Sequence, residues 1–139
     1  MIKFNNPSQE APYLFFKNIY TKSLKANQKN IEAICVSSYS LNDKEVNARF
    51  VNLKFVNNKE FIFFSSYNAP KSKDFDLHQQ ITGLLYWNSI NTQIRMKAYI
   101  KKTSIAFNQE YFAQRSKEKN ALAISSSQSN IITSYRYVK

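Results

Sequence analysis

The chain has 139 residues and a formal charge of +11, with 43% apolar residues, 15% aromatics and a single cysteine, histidine and glycine. Its length fits one domain with a real hydrophobic core, and its aromatic content argues against intrinsic disorder. The lone Cys35 excludes an internal disulfide framework, Cys35 and His78 cannot supply a four-ligand zinc site, and the lone Gly83 excludes glycine-rich phosphate loops and a serine nucleophile elbow.

No metal is therefore expected. The charge calls either for an anionic partner or for nothing more than a lysine-rich composition. Residues 1–30 are interrupted by lysines, and no apolar run approaches the length needed to span a bilayer. The expectation is a cytoplasmic protein with no signal peptide and no membrane partner.

In chain order, the first predicted element is a helix over 8–26. Ser8 is its cap, Pro12 lies in its first turn, and Tyr13, Phe16, Ile19, Tyr20 and Leu24 form one apolar face. The period then changes to two. Residues 31–40 read as a strand, with Ile34 and Val36 on one face and Ala33, Cys35 and Ser37 on the other. Asn42-Asp43-Lys44 reads as a turn in which Asn and Asp tolerate the left-handed conformation. Strands follow at 46–56 and 60–66, separated by a second turn at Asn57-Asn58, so an antiparallel meander is expected.

A helix is predicted over 70–80 with Phe75 and Leu77 turned inward, then a nearly continuous apolar strand over 81–87. Residues 91–102 alternate, with Ile94, Met96, Ala98 and Ile100 on one side and Gln93, Arg95, Lys97 and Tyr99 on the other. Short helices are predicted at 108–114 and 117–123, and a last strand at 130–138. His78 is expected at an exposed helix end. Five or six antiparallel strands flanked by helices make a small barrel.

Two stretches carry candidate chemistry. In Arg49-Phe50-Val51-Asn52-Leu53-Lys54, Arg49, Val51 and Leu53 share one face and Phe50, Asn52 and Lys54 the other. Charges at the two ends of an apolar strand are either solvated or paired with an anion. Phe64-Ser65-Ser66 followed by Pro70-Lys71 puts hydroxyls at a strand end and a lysine at a helix start, which suits a phosphate or simply a capped helix.

The ordered set Arg49–Lys54, Phe64-Ser65, Lys71, Leu84-Leu85-Tyr86-Trp87, Gln93, Tyr111–Arg115 and Gln128-Ser129 resembles the pyridoxamine 5'-phosphate oxidase family over roughly residues 12–135. The resemblance implies a mainly β fold with flanking helices, an FMN-binding split β-barrel that is antiparallel and Greek-key-like, with residues 1–139 as its single domain. It implies that Arg49, Ser65 and Lys71 bind the FMN phosphate, that Phe50, Val51, Asn52, Leu53 and Lys54 line the flavin ring together with Phe64, and that Gln93, Gln128 and Ser129 reach the flavin from the partner subunit of a homodimer. It also implies that Lys54, Tyr111, Arg115 and Lys119 hold a phosphorylated substrate, pyridoxamine or pyridoxine 5'-phosphate. Tyr111 and Arg115, four apart on one helix face, suit its phosphate.

The implied reaction is hydride transfer from the vitamer to FMN, giving pyridoxal 5'-phosphate, with reoxidation of the flavin by O2. No catalytic base stands out. The chain departs from the family pattern at Pro70, where the family has Arg, and at Lys119, where it has Ser. No Arg-x-His follows Gln128, so flavin binding is expected to survive better than oxidase activity. The alternatives are a shortened split-barrel flavoprotein, flavin reductase-like or without turnover, and a basic barrel that binds single-stranded nucleic acid.

Overall fold

The computed structural model describes residues 1–65 and 69–114. The elements are β1 (Lys3–Pro7), α1 (Ala11–Lys25), β2 (Ala33–Ser40), β3 (Glu45–Asn58), β4 (Glu60–Phe63), α2 (Pro70–Leu77), β5 (Gln80–Trp87), a single 3₁₀ turn (Asn88–Ile90), β6 (Thr92–Tyr99) and α3 (Ile105–Gln114). The sheet order is β1-β3-β2-β5-β6, with β4 also paired to β3.

The long strand β3 organises the fold. Its first half, Glu45–Asn52, pairs antiparallel with β2, and its second half pairs antiparallel with β4 and parallel with β1. The register with β4 shifts between Leu53 and Phe55, so Lys54 is the extra residue of a β-bulge. A bulge bends a strand and reverses its inside-outside alternation. Leu53 is buried before the bulge and Val56 after it, although simple alternation from Leu53 would have buried Phe55. One strand can therefore serve two differently oriented parts of an open barrel.

Two expectations are corrected here. The described sheet is not wholly antiparallel, because β1 adds a parallel strand that the sequence pattern did not reveal. Ser8 does not cap α1 either. The N-cap is Glu10 without a side-chain bond, and Ser8 Oγ instead accepts from the Glu10 backbone amide at 3.2 Å. Pro12 does lie in the first turn, where its missing N–H is harmless.

The α1 face of Phe16, Ile19 and Tyr20 covers one end of the sheet. Phe16 stacks edge-on against Phe61 at 5.1 Å and lies 5.7 Å from the ring of Trp87, which is fully buried. The Trp87 indole N–H donates to the Ile31 carbonyl at 3.0 Å, and the Tyr20 hydroxyl accepts from the Ile2 amide at 2.8 Å, so both polar ends of these core rings are satisfied. The helix anchors β1 and the end of β5 to the same core.

The turns are built without glycine. Asn58 and Asn91 adopt positive φ, as do Asn6, Asn27 and Asn30. In the β2–β3 turn, however, the left-handed residue is Lys44, not Asn42 or Asp43. Gly83 sits within β5 opposite Val36, and a Cβ there would lie 2.8 Å from Ile34 Cδ1. The one glycine thus serves close packing inside the barrel.

Leu77, expected inward, is 51% exposed, because α2 ends there and its inner face is formed by Lys71, Ser72 and Asp74. His78 is half-buried rather than exposed, with its ring edge against Tyr39 at 5.7 Å. The helix predicted at 117–123 and the strand at 130–138 lie outside the described residues. No helix among the described residues is long and apolar enough to cross a membrane.

Candidate functional site

Strand alternation puts Arg49 on the inner face of β3, opposite Val36. Its Nη1 donates to the Val36 carbonyl at 3.2 Å and to Ser38 Oγ at 2.8 Å, and its guanidinium lies 6.0 Å from the centre of the Phe75 ring. These contacts carry it from the sheet to α2. There Lys71, only 4% exposed, sits at the start of the helix behind Pro70. Burial lowers the pKa of Lys71, and Arg49 lowers it further. Burial likewise lowers that of Arg49, and the nearby Asp74 carboxylate partly opposes the shift.

Two cations held together away from water repel each other and lose hydration, a cost that a bound anion offsets. The strand end before α2 supplies a further donor. Ser65 Oγ is buried with no hydrogen-bond partner among the described residues. A buried unpaired hydroxyl is a group that a ligand oxygen can satisfy. Ser65, Ser72 and Phe75 line one cavity of about 710 Å³, whose walls include Ile34, Val36 and Leu53 from the inner sheet face and Ile94 and Met96 from β6. Arg49 and Lys71 do not line this cavity, although Ser72 beside Lys71 and Phe75 beneath the Arg49 guanidinium do; the two cations and the Ser65 hydroxyl are donor types that suit a phosphate.

The remaining expected residues fall into three groups. Phe64 stacks on Tyr111 at 3.7 Å with nearly parallel rings, and Phe55 meets both edge-on. The strand end and α3 are thus locked together, which brings a residue expected on the cofactor side and one expected on the substrate side into contact. Ser104 Oγ starts α3 by accepting from the Phe107 amide at 3.1 Å.

Lys54, at the bulge, donates to Glu32 Oε2 at 2.8 Å. Phe50, Asn52 and Gln93 lie on the outer face of the sheet: Phe50 pairs through Cys35 and Leu84 with Arg95, and Gln93 pairs with Tyr86. Val51 and Leu53 are on the inner face with Arg49. Arg49 and Gln93 are therefore on opposite faces within one chain. Arg115, Lys119, Gln128 and Ser129 lie outside the described residues.

Sequence reasoning missed Ser38, Asp74, Phe75 and Glu32 as neighbours of these groups. Asp74 and Phe75 follow Lys71 by three and four residues, a helical spacing that places them on its face. Ser38 and Glu32 approach through strand register, for which the local sequence carries no signal. Among the described residues no group of three His, Cys, Asp or Glu could hold a metal.

No family model matches the chain. It is 30% identical over 123 residues to a pyridoxine/pyridoxamine 5'-phosphate oxidase of Burkholderia lata, covering 88% of this chain and 57% of that protein. It is 29% identical over 126 residues to pyridoxine/pyridoxamine 5'-phosphate oxidase 1 of Hydrogenovibrio crunogenus, covering 91% and 58%. A relative of the same name in Leptospira interrogans is 23% identical over 128 residues, covering 92% and 59%. The chain thus spans a little under three fifths of these relatives.

Among solved structures, PhzG from Burkholderia lata 383, in complex with tetrahydrophenazine-1-carboxylic acid, superposes with a TM-score of 0.84 at 18% identity, over 91% of this chain and 62% of that one. A pyridoxamine 5'-phosphate oxidase-related, FMN binding protein from Nostoc punctiforme superposes with a TM-score of 0.69 at 10% identity, over 94% and 72%. The resemblance read from the sequence stands, and the chain shares the split-barrel fold of these two structures.

Proposed function

We propose that this chain binds FMN and works as an FMN-dependent oxidoreductase, oxidising pyridoxamine or pyridoxine 5'-phosphate to pyridoxal 5'-phosphate. The observation that carries the reading is that the fold brings Arg49 of β3 within electrostatic reach of the buried Lys71 at the start of α2, while Ser65, five residues before that helix, has a buried hydroxyl with no partner among the described residues. Arg49, Lys71 and Ser65 hold the flavin phosphate. When bound, the flavin accepts a hydride from the substrate carbon. The chain's own task is to orient the ring and to exclude water with the aromatic group Phe55, Phe64, Phe107 and Tyr111.

The outer sheet face supports the homodimer. Phe50 is 74% exposed, and Val46, Leu84, Tyr86 and Tyr99 are exposed beside it on the same face. These exposed apolar side chains, beside Arg95 and Lys97 of β6 on the same face, suit a second copy. Gln93, on that face, then approaches the flavin of the partner.

Purified protein should be yellow, or become so with FMN, and the flavin should bleach when pyridoxamine 5'-phosphate is added without oxygen. A colourless protein that ignores FMN ends the proposal. The likeness to PhzG, held with a reduced aromatic carboxylic acid, favours a second reading in which the same flavin site oxidises a reduced ring instead. Bleaching by such a compound, and not by pyridoxamine 5'-phosphate, selects it.

A further inference from the structure

The register places Ser37, Thr82 and Lys97 in one row across β2, β5 and β6. Arg49 donates to Ser38 Oγ on the inner face, so this row projects from the outer face, two residues along each strand from Cys35, Leu84 and Arg95. With Tyr39, Gln80 and Val46 the row lines an open hollow of about 240 Å³. Each of its polar side chains carries a hydrogen-bond donor, and no Asp or Glu among the described residues lines it. The Lys97 ammonium makes no ion pair among the described residues, whereas Lys54, Lys59, Lys101 and Lys102 each meet a carboxylate. The Ser37 and Thr82 hydroxyls are likewise left without a hydrogen-bond partner among the described residues.

We propose that this hollow is a second anion site, which takes a phosphate group on the sheet face opposite Arg49. Its volume lies below the roughly 300 Å³ at which sites for drug-sized ligands begin, so it holds one small group and not a flavin ring. Neighbouring strands are about 4.8 Å apart, so the row of donors spans roughly 10 Å. A tetrahedral phosphate, with its several acceptor oxygens, meets the lysine and a hydroxyl at once, whereas a planar carboxylate satisfies fewer of them. Arg95, two residues from Lys97 on the same face, adds to the positive potential there. Lys97 stands four residues along β6 from Gln93, toward the other end of the face proposed to meet a second copy. The site requires neither bound flavin nor that second copy.

The test titrates inorganic phosphate into isotope-labelled protein at constant ionic strength and follows the backbone amides by two-dimensional NMR, with acetate and chloride as comparison anions. The amides of Ser37, Thr82 and Lys97 should shift saturably with phosphate, and acetate should bind there about tenfold more weakly or less. Lys97→Gln, at an exposed side chain, should keep the folded spectrum and weaken phosphate at these amides by about tenfold. Ser37→Ala should weaken it by a smaller factor. Lys101→Gln, at an exposed lysine paired with Glu60, is the control for simple charge removal and should leave it unchanged.

Absent or unsaturable shifts at the three amides overturn the proposal, as do equal shifts with acetate or chloride. Phosphate binding by Lys97→Gln as tight as that of the unaltered protein, or an equal loss in Lys101→Gln, overturns it too. Phosphate shifts confined to Arg49 and α2 mean that only the inner face holds the anion, and the hollow is then discarded. Saturable binding at Ser37, Thr82 and Lys97 in a protein that ignores FMN keeps the hollow and ends the flavin reading.

Discussion

Lys71 and Lys54 show how differently two lysines near one site can be held. Lys71 is buried, and both that burial and the nearby Arg49 lower its pKa. Lys71→Met should weaken FMN binding by about tenfold or more, the loss of one charge-assisted contact. Unchanged affinity in a flavin titration would remove Lys71 from the phosphate site. Lys54 already has a partner in Glu32, whose other oxygen accepts from the Met1 amino group at 2.9 Å. Burial raises the pKa of Glu32, but the hydrogen bonds from Lys54 and the amino terminus outweigh it, so the net shift is downward. A carboxyl with a depressed folded pKa contributes stability above its unfolded value and loses it as pH falls through the folded one. Glu32→Gln should therefore cost about 1 kcal/mol at neutral pH and nothing in strong acid, and thermal melts across pH 2–7 should converge for the two proteins at the acid end. A constant gap at all pH values would separate Glu32 from the acid sensitivity. The residue types Arg49, Ser65 and Lys71 could be read from the sequence; the pairing of Lys54 with Glu32 could not, because a carboxylate that meets a cation across the fold has no local pattern.

At the scale of elements, β2, β3 and β6 were legible from alternating runs and β5 from its apolar run, with asparagine turns at 57–58 and at 91, asparagine being one of the few residues that accept the left-handed conformation. The same principle exposes the one misfit. Lys44 adopts φ 56° in the β2–β3 turn, with its backbone amide donating to the Ser40 carbonyl at 2.8 Å. Lys44→Asn should raise stability by about 0.5–1 kcal/mol, since a lysine pays the Cβ–carbonyl clash there. Asn58→Ala, at φ 49°, should lower it by a similar amount. Urea unfolding of both variants measures the pair, and shifts of the same sign would contradict the assignment. Two features escaped the sequence for definite reasons. The five residues of β1 include Asn5, Asn6 and Pro7 and have no alternation of their own; they become a strand because β3 offers an edge and α1 covers Phe4. The bulge at Lys54 was invisible because apolar residues occur at 51, 53, 55 and 56, which suits either parity.

At the scale of the molecule, the split of the expected site over two sheet faces becomes an argument about assembly. Arg49 and Lys71 are inside, while Phe50, Asn52 and Gln93 are outside, so a single chain cannot close both sets around one face of a flavin. In the proposed homodimer a second copy lies on the outer face, and by two-fold symmetry the Phe50 and Gln93 of each chain meet the outer face of the other. On the outer sheet face the exposed aromatic and aliphatic side chains stand beside Gln93, Arg95 and Lys97. Phe50→Glu tests this directly. On an isolated chain the substitution is a surface change on a side chain already 74% exposed, with an effect within about 0.5 kcal/mol on stability. At a two-fold interface it buries two unpaired carboxylates, which costs several kcal/mol. Sedimentation analysis should therefore show a dimer for the unaltered protein and a monomer for Phe50→Glu, with equal folded stability of the monomer and with FMN affinity falling alongside dimerisation. A monomeric unaltered protein that binds FMN tightly would mean that the inner face alone suffices, and Gln93 would lose its place in the site.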